Sequence, residues 1–185
     1  MKNNPQTALI HAPRQAPQYI STIQPPLFRA STIIFQNTDA LFNRHWSDAY
    51  DYSYGTHGTP TTFTLGDNIA QIEGGDYCLL APSGLSAINL VNACFLAQGD
   101  EVWVADNIYG PNMEHLRNLE TRYGISVKIY NPIEVDSFQP SAQAKLIWLE
   151  AAGSVTLEFP DLVSLVNKAK QANVLTALDN TWGAG

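Results

Sequence analysis

The chain has 185 residues, 45% of them hydrophobic, which is enough for one domain with a buried core. Its net charge is −7, with 10 Lys and Arg against 17 Asp and Glu, and no basic cluster interrupts this acidity. A surface that follows nucleic-acid phosphates needs clustered positive charge, so we expect no nucleic acid as a partner. No apolar stretch approaches the roughly 20 residues that span a bilayer, and no signal-peptide pattern is present. A cytoplasmic protein without a membrane partner is the expectation.

Residues 1–58 are predicted to form an extended N-terminal arm, and residues 59–185 a globular domain. The arm is rich in proline and then in aromatic residues, from Phe28 to Trp46. Such a segment cannot form a core of its own. We expect it to lie over the globular part or over another subunit.

From about residue 60 the pattern alternates between strands and helices. Short apolar runs predict buried strands at 77–81, 101–105, 126–130, 145–149 and 174–178. Helical faces lie between them, each of the first three ending at glycine and the last beginning at Pro160: Leu65, Ile69 and Ile72; Leu85, Ile88, Val91, Asn92 and Phe95; Leu116, Leu119 and Tyr123; Leu162, Leu165, Val166 and Ala169. This order predicts an α/β fold, a mostly parallel sheet with helices on both faces.

The cysteines and histidines give no metal-ligand pattern. Cys78 lies in an apolar run and Cys94 in a helical pattern, so both are predicted to be small buried hydrophobic residues. The four histidines share no ligand spacing. We expect no metal.

Three loops follow predicted strands, at the edge where open α/β sheets bind ligands. Ser83 and Gly84 open a helix whose free N–H groups favour a phosphate, although taken alone they are better explained by a plain helix cap and a tight turn. Tyr109 could stack on a flat cofactor or simply cover a helix end. Asp179 could pair with a pyridinium nitrogen or cap the next element. Their conjunction favours a single site for a flat, phosphorylated heterocycle.

These residues resemble the Cys/Met-metabolism, or trans-sulfuration, family of pyridoxal-phosphate enzymes. The landmarks of the resemblance are Tyr54 with Gly58-Thr59-Pro60-Thr61, Ile72-Glu73-Gly74-Gly75, Ser83-Gly84-Leu85-Ser86-Ala87 and Asp179-Asn180-Thr181. It implies a partial large domain of the fold type I (aspartate-aminotransferase-like) class with pyridoxal 5′-phosphate as cofactor. Within the family, Glu150-Ala151-Ala152-Gly153-Ser154 and the segment after Asp179 are most similar to the cystathionine β-lyases.

The resemblance also implies roles for individual residues. Gly84 and Leu85, with Ser83, would bind the phosphate, and Tyr109 would stack on the ring with a possible part in proton transfer. Asp179 would hold the pyridine nitrogen, with Thr181 beside it. Tyr54 would reach the phosphate or the substrate of a neighbouring subunit, which implies a homo-oligomer, a dimer or a tetramer.

Three features depart from the family pattern, the first being Ala151-Ala152 after Glu150, where the family usually has Ser-Pro. Thr56 stands where the family generally has an arginine that binds the phosphate, so this position offers a hydroxyl but no charge. The Schiff-base lysine of the family lies downstream of the Asp-Asn-Thr segment, beyond Gly185. We therefore expect an N-terminal fragment that is inactive alone.

The resemblance implies that the full-length parent cleaves cystathionine by β-elimination to homocysteine, pyruvate and ammonia. One alternative is a γ-acting relative, a cystathionine γ-synthase or an acylhomoserine sulfhydrylase. The other is a non-catalytic truncated copy.

Overall fold

The computed structural model describes residues 26–45 and 52–184. Contacts divide the described chain into two compact units, one made of residues up to Leu80 and one of residues 81–184. The predicted arm 1–58 and domain 59–185 divide the chain at a different point and stay a prediction. Most of residues 1–58, including Trp46, lies outside the described residues.

A parallel sheet of four strands forms the centre of the second unit. The strands are β1 (Glu101–Ala105), β2 (Ser126–Tyr130), β3 (Ala144–Glu150) and β4 (Leu175–Asp179), in the order β2-β1-β3-β4. This confirms the predicted α/β fold with a parallel sheet. The pattern also predicted the bounds of β1 and β2, whereas β3 is one residue longer at each end and β4 ends on Asp179 instead of before it.

The described helices are α1 (Thr38–Phe42), α2 (Pro60–Glu73), α3 (Gly84–Phe95), α4 (Gly110–Tyr123) and α5 (Leu162–Gln171), with a 3-10 turn at Val135–Ser137. The first two belong to the first unit and the other three to the second. Helices α2 and α4 end where predicted, at Gly74 and Gly124, which adopt φ of 70° and 69°. A left-handed conformation of this kind is tolerated best by glycine. None of the described helices is both long and apolar enough to cross a membrane.

Helices cover both faces of the sheet. The connection β1–α4–β2 moves one way across the sheet and β3–α5–β4 moves the other way. Since parallel crossovers are right-handed, α4 and α5 lie on opposite faces. Helix α3 packs on the α4 face, where the Asn92 amide donates to the Asn112 side chain at 3.1 Å and accepts from the Trp148 indole at 2.8 Å.

The core lies between these layers. Every residue of β1 is buried, and Val102 and Val104 have no exposed surface. On the face opposite Val104, Trp103 meets the ring of Phe138 edge-on, with centroids 5.2 Å apart. The phenol of Tyr130 donates to the Trp148 carbonyl at 3.0 Å, and burial raises its pKa well above the ordinary value. The two central strands are therefore fixed on both faces.

The predicted strand at 77–81 is absent. The segment is irregular, and Tyr77 and Leu79 expose 92% and 82% of their surface. An apolar run forms a strand only if a neighbouring strand pairs with its backbone N–H and carbonyl groups. None of the four strands pairs with it.

Smaller predictions of burial and helix ends were also wrong. Cys94 is exposed, because it lies two residues, or about 200°, around α3 from the buried Asn92. Cys78 is half-buried. Helix α2 buries Thr64, Gly66 and Ala70, while Leu65 is half exposed. Helix α5 starts at Leu162, not at Pro160, because the Asp161 side chain accepts the Ser164 N–H as its cap.

Candidate active site

The carboxyl ends of β1, β3 and β4 meet at one edge of the sheet. Strand β3 ends on Glu150 and pairs in register with β4, so that Glu150 lies opposite Asp179. The loop after β1 carries Tyr109, whose backbone N–H donates to the Glu150 carboxylate at 2.7 Å. Glu150 thus joins two of the predicted site residues, Tyr109 and Asp179, which lie on either side of it.

The buried Glu150 carboxylate was not predicted as a site residue. In the sequence it stood out only as the first residue of the segment Glu150-Ala151-Ala152-Gly153-Ser154, although a charged residue directly after four apolar strand positions is a signal that could have identified it. Burial raises the pKa of Glu150, and the nearby Asp179 charge raises it further. Hydrogen bonds from the N–H groups of Tyr109 and Ser154 act in the opposite direction. The two backbone N–H groups therefore stabilise the Glu150 carboxylate, whereas its burial destabilises the charge.

Asp179 is half-buried at the end of β4. Its Oδ1 accepts from the backbone N–H of Thr181 at 3.1 Å and from the Thr181 hydroxyl at 2.5 Å. No hydrogen bond reaches its Oδ2 within the described part of the chain. Thr181 therefore orients a carboxylate that keeps one oxygen for another donor.

Helix α3 begins at the predicted phosphate loop. Ser83 is its N-cap, and its Oγ accepts the Ser86 N–H at 3.1 Å. The N–H groups of Gly84 and Leu85 have no acceptor among the described residues, and the space beside Gly84 is open. The other end of α3 lies beside the end of α4, where Gly99 N–H donates to the Gly124 carbonyl before β1 and β2 begin. The free N–H groups of α3 therefore point toward the carboxyl edge of the sheet.

The loops after β1 and β3 brace each other next to Tyr109. The Asn107 amide donates to the Thr156 hydroxyl and to the Glu158 carboxylate, each at 2.8 Å. A Cβ on Gly153 would lie 2.2 Å from the Asn107 Nδ2, so a larger residue there would displace the Asn107 amide from these two hydrogen bonds. Tyr109 itself keeps 37% of its surface exposed and has no ring partner in the described residues.

Tyr54 belongs to the first unit. It forms an isolated antiparallel bridge with Thr32, is 44% exposed, and its hydroxyl lies 3.5 Å from that of Ser31. The next residue, Gly55, passes so close to the Ala30 carbonyl that a Cβ would lie 1.9 Å from the oxygen. The close backbone approach therefore requires glycine at position 55, next to Tyr54.

The residues of the second unit suit pyridoxal phosphate. Two unbonded N–H groups at a helix start are suited to a phosphate, and the open space beside Gly84 admits it. An exposed ring and a carboxylate with a free oxygen are suited to a pyridinium ring. Among the described residues, lysines occur only in β2, β3 and α5, none of them after the carboxyl end of a strand.

Fold and site together define a pyridoxal-phosphate-binding α/β domain. The chain belongs to the Cys/Met metabolism PLP-dependent enzyme family, whose sequence pattern matches residues 6–185. This confirms the resemblance to the family and its cofactor.

The relatives carry different names. The chain is 36% identical to the cystathionine beta-lyase of Bordetella avium, over 86% of the chain and 41% of the relative. It is 30% identical to the L-alanine/L-glutamate racemase of Wolbachia pipientis wMel, over 96% of the chain and 46% of the relative. The structure of cystathionine gamma synthase from Xanthomonas oryzae pv. oryzae in complex with aminoacrylate and cysteine superposes with a TM-score of 0.80 at 24% identity, over 96% of the chain and 44% of that protein. The chain thus spans less than half the length of each, and the likeness to the solved structure bears on the fold alone.

Proposed function

We propose that the protein is a pyridoxal-phosphate-dependent carbon–sulfur lyase that cleaves cystathionine by β-elimination. The observation that carries this is the alignment of Tyr109, Glu150 and Asp179 along one sheet edge, in a chain 36% identical to a cystathionine beta-lyase. The overall reaction consumes water and cystathionine, breaks the bond between sulfur and the β-carbon, and yields homocysteine, pyruvate and ammonia.

Residues of this chain hold the cofactor. The N–H groups of Gly84 and Leu85, at the helix start capped by Ser83, bind the phosphate. The Tyr109 ring covers the heterocycle, and the free oxygen of Asp179 accepts the N–H of the pyridine nitrogen. When bound, pyridoxal phosphate withdraws electrons from the α-carbon of an amino acid and thereby allows a substituent on the β-carbon to leave.

Two further residues orient this set. Thr181 fixes the rotation of the Asp179 carboxylate through two hydrogen bonds. Glu150 fixes the backbone of the Tyr109 loop. Tyr54 completes the site of a neighbouring subunit in a homo-oligomer, where Thr56 offers a hydroxyl to the phosphate.

The activity is tested by the products formed from cystathionine by the protein, expressed with any sequence that adjoins residue 185. We expect pyruvate and homocysteine, and we expect Asp179→Asn to lower kcat/KM by about 10²–10³-fold, because the neutral amide no longer stabilises charge on the ring nitrogen. Asp161→Asn, at the exposed cap of α5, is the matched control and should leave turnover unchanged. Release of 2-oxobutyrate would instead assign γ-cleavage, and unaltered turnover by Asp179→Asn would refute its role.

The second candidate function is amino-acid racemisation. The 30% identity to an alanine/glutamate racemase over 96% of the chain favours it, since racemisation needs the same electron-withdrawing cofactor but no leaving group. Loss of optical rotation from L-alanine, without pyruvate from cystathionine, would replace the lyase with the racemase.

A further inference from the structure

A cavity lies at the amino ends of β1 and β2, the end of the sheet opposite to the candidate active site. Its volume is about 540 Å³, within the range of small-molecule sites. It is framed by the last turns of α3 and α4, directly before β1 and β2 begin. All of its lining residues belong to the second unit, between Asn92 and Ile125.

The wall of this cavity is mostly apolar. Leu96 and Leu119 are half-buried, Ile125 is 4% exposed, and Ala93 lies at the cavity on the exposed side of α3. A short aliphatic side chain would bury its surface against this wall. That contact favours binding through the hydrophobic effect.

One cation at the cavity, in the last turn of α4, has no carboxylate partner among the described residues. Arg122 lines the cavity and makes no ion pair or hydrogen bond within the described residues. The neighbouring carboxylates are engaged elsewhere: Glu120 accepts from Val127 N–H and Arg117, and Asp100 accepts from Ala97 N–H. The guanidinium is therefore available to a carboxylate, which it binds well.

The helix ends supply the opposite charge. Ala97 N–H, which would continue α3, donates to Asp100 at 2.8 Å. The Ala93 carbonyl consequently receives no hydrogen bond from the described residues. Carbonyl groups at a helix C-terminus carry partial negative charge and attract a cation.

We infer that this cavity binds a free α-amino acid with an apolar side chain. Its carboxylate pairs with Arg122, its ammonium group meets the carbonyl at the end of α3, and its side chain packs on Leu96, Leu119 and Ile125. Neither a simple fatty acid nor a simple amine satisfies both charges. Helix α3 begins at Gly84 and α4 begins directly after Tyr109, so both helices start at the proposed cofactor loops. The ligand would contact the C-terminal ends of these same two helices.

The test is a chemical-shift titration of the 15N-labelled 185-residue chain without cofactor. The probes are L-leucine, 4-methylpentanoate, which lacks its ammonium group, and 3-methylbutylamine, which lacks its carboxylate. We expect L-leucine to shift amides of residues 93–98 and 119–125 to saturation. Each truncated probe should bind at least about tenfold more weakly, because it lacks one charge-assisted hydrogen bond.

Variants locate the site. Arg122→Gln should weaken leucine binding about tenfold, whereas Lys170→Gln, which removes one positive charge from the exposed last turn of α5 outside the cavity, should leave it unaltered. Ala93→Phe should abolish binding by filling the space, with circular dichroism to check that the fold is kept. The inference is overturned if leucine gives no saturable shifts, if either truncated probe binds as tightly as leucine, or if Arg122→Gln and Lys170→Gln behave alike. Since leucine has no sulfur and no cofactor is added, the outcome is independent of the proposed lyase activity.

Discussion

The surroundings of Glu150 partly disfavour the ionised form of its carboxyl group. Burial raises its pKa above the ordinary 4.5, so the folded chain binds this proton more tightly than the unfolded chain does. The stabilising contribution of protonated Glu150 is fully present below pH 4.5 and is lost as the pH rises through the raised value. The carboxylate is kept for position rather than for stability.

Replacing Glu150 by glutamine removes this titration while keeping an oxygen that accepts the Tyr109 N–H. We expect the free energy of unfolding of Glu150→Gln, minus that of the unmodified chain, to increase as the pH rises above 4.5. Urea unfolding at closely spaced pH values between 4 and 7.5 measures the difference, with Glu134→Gln as an exposed control. A difference independent of pH would mean that Glu150 has the same pKa in both states.

The sequence predicted Tyr109 and Asp179 as residues of the candidate site, but it did not predict that Glu150 lies between them. Tyr109 and Asp179 each follow or end a strand, and parallel strands bring their carboxyl ends to one edge, which is a rule that sequence order can use. That the Glu150 carboxylate reaches the backbone N–H of Tyr109, 41 residues away, depends on the register of β1 and β3. Register depends on how two strands pair, so the pattern of either strand alone does not predict this contact.

At the scale of elements, local patterns predicted best where burial is uniform. Strand β1 is buried on both faces, so its apolar run coincides with its bounds. The run at 77–81 is equally apolar but finds no partner strand, and no local pattern reveals that difference. Helix α5 shows a second limit, because the Asp161 side chain, and not Pro160, sets its start.

Three elements of the second unit are joined by one buried polar side chain. Asn92 on α3 donates to Asn112 on α4 and accepts from Trp148 on β3, and none of the three side chains exceeds 3% exposure. Asn92→Leu would leave the Trp148 indole N–H and the Asn112 side-chain oxygen buried without hydrogen-bond partners. We expect a loss of about 2–4 kcal/mol in the free energy of unfolding, measured by urea titration.

The matched control is Asn118→Leu on α4. Its exposed side chain donates to the Glu114 carbonyl one turn earlier and to no other described residue, so this change should cost less than about 0.5 kcal/mol. Equal losses from Asn92→Leu and Asn118→Leu would contradict a special role for the buried network.

At the scale of the whole molecule, β4 forms an edge of the sheet. It pairs with β3 on one side and with no described strand on the other, and Leu175 and Leu178 are about half exposed. Open apolar edges promote association between chains. We expect the chain to self-associate as its concentration rises.

Leu178→Lys should reduce this association severalfold in light scattering, because a charge on an edge strand opposes pairing. Val163→Lys adds the same charge at an exposed position on α5 and should have little effect. If both substitutions reduce the scattering equally, net charge rather than the edge of β4 governs association.

The pairing of Glu150 with Asp179 has a consequence for the approach of charged small molecules. Two acidic groups side by side, in a molecule of net charge −7, set a negative potential around this end of the sheet. A phosphorylated cofactor is itself an anion and is repelled until it is close enough for the amides at the start of α3 to act. Moderate ionic strength shortens the range of that repulsion, so added salt should accelerate cofactor uptake in this protein.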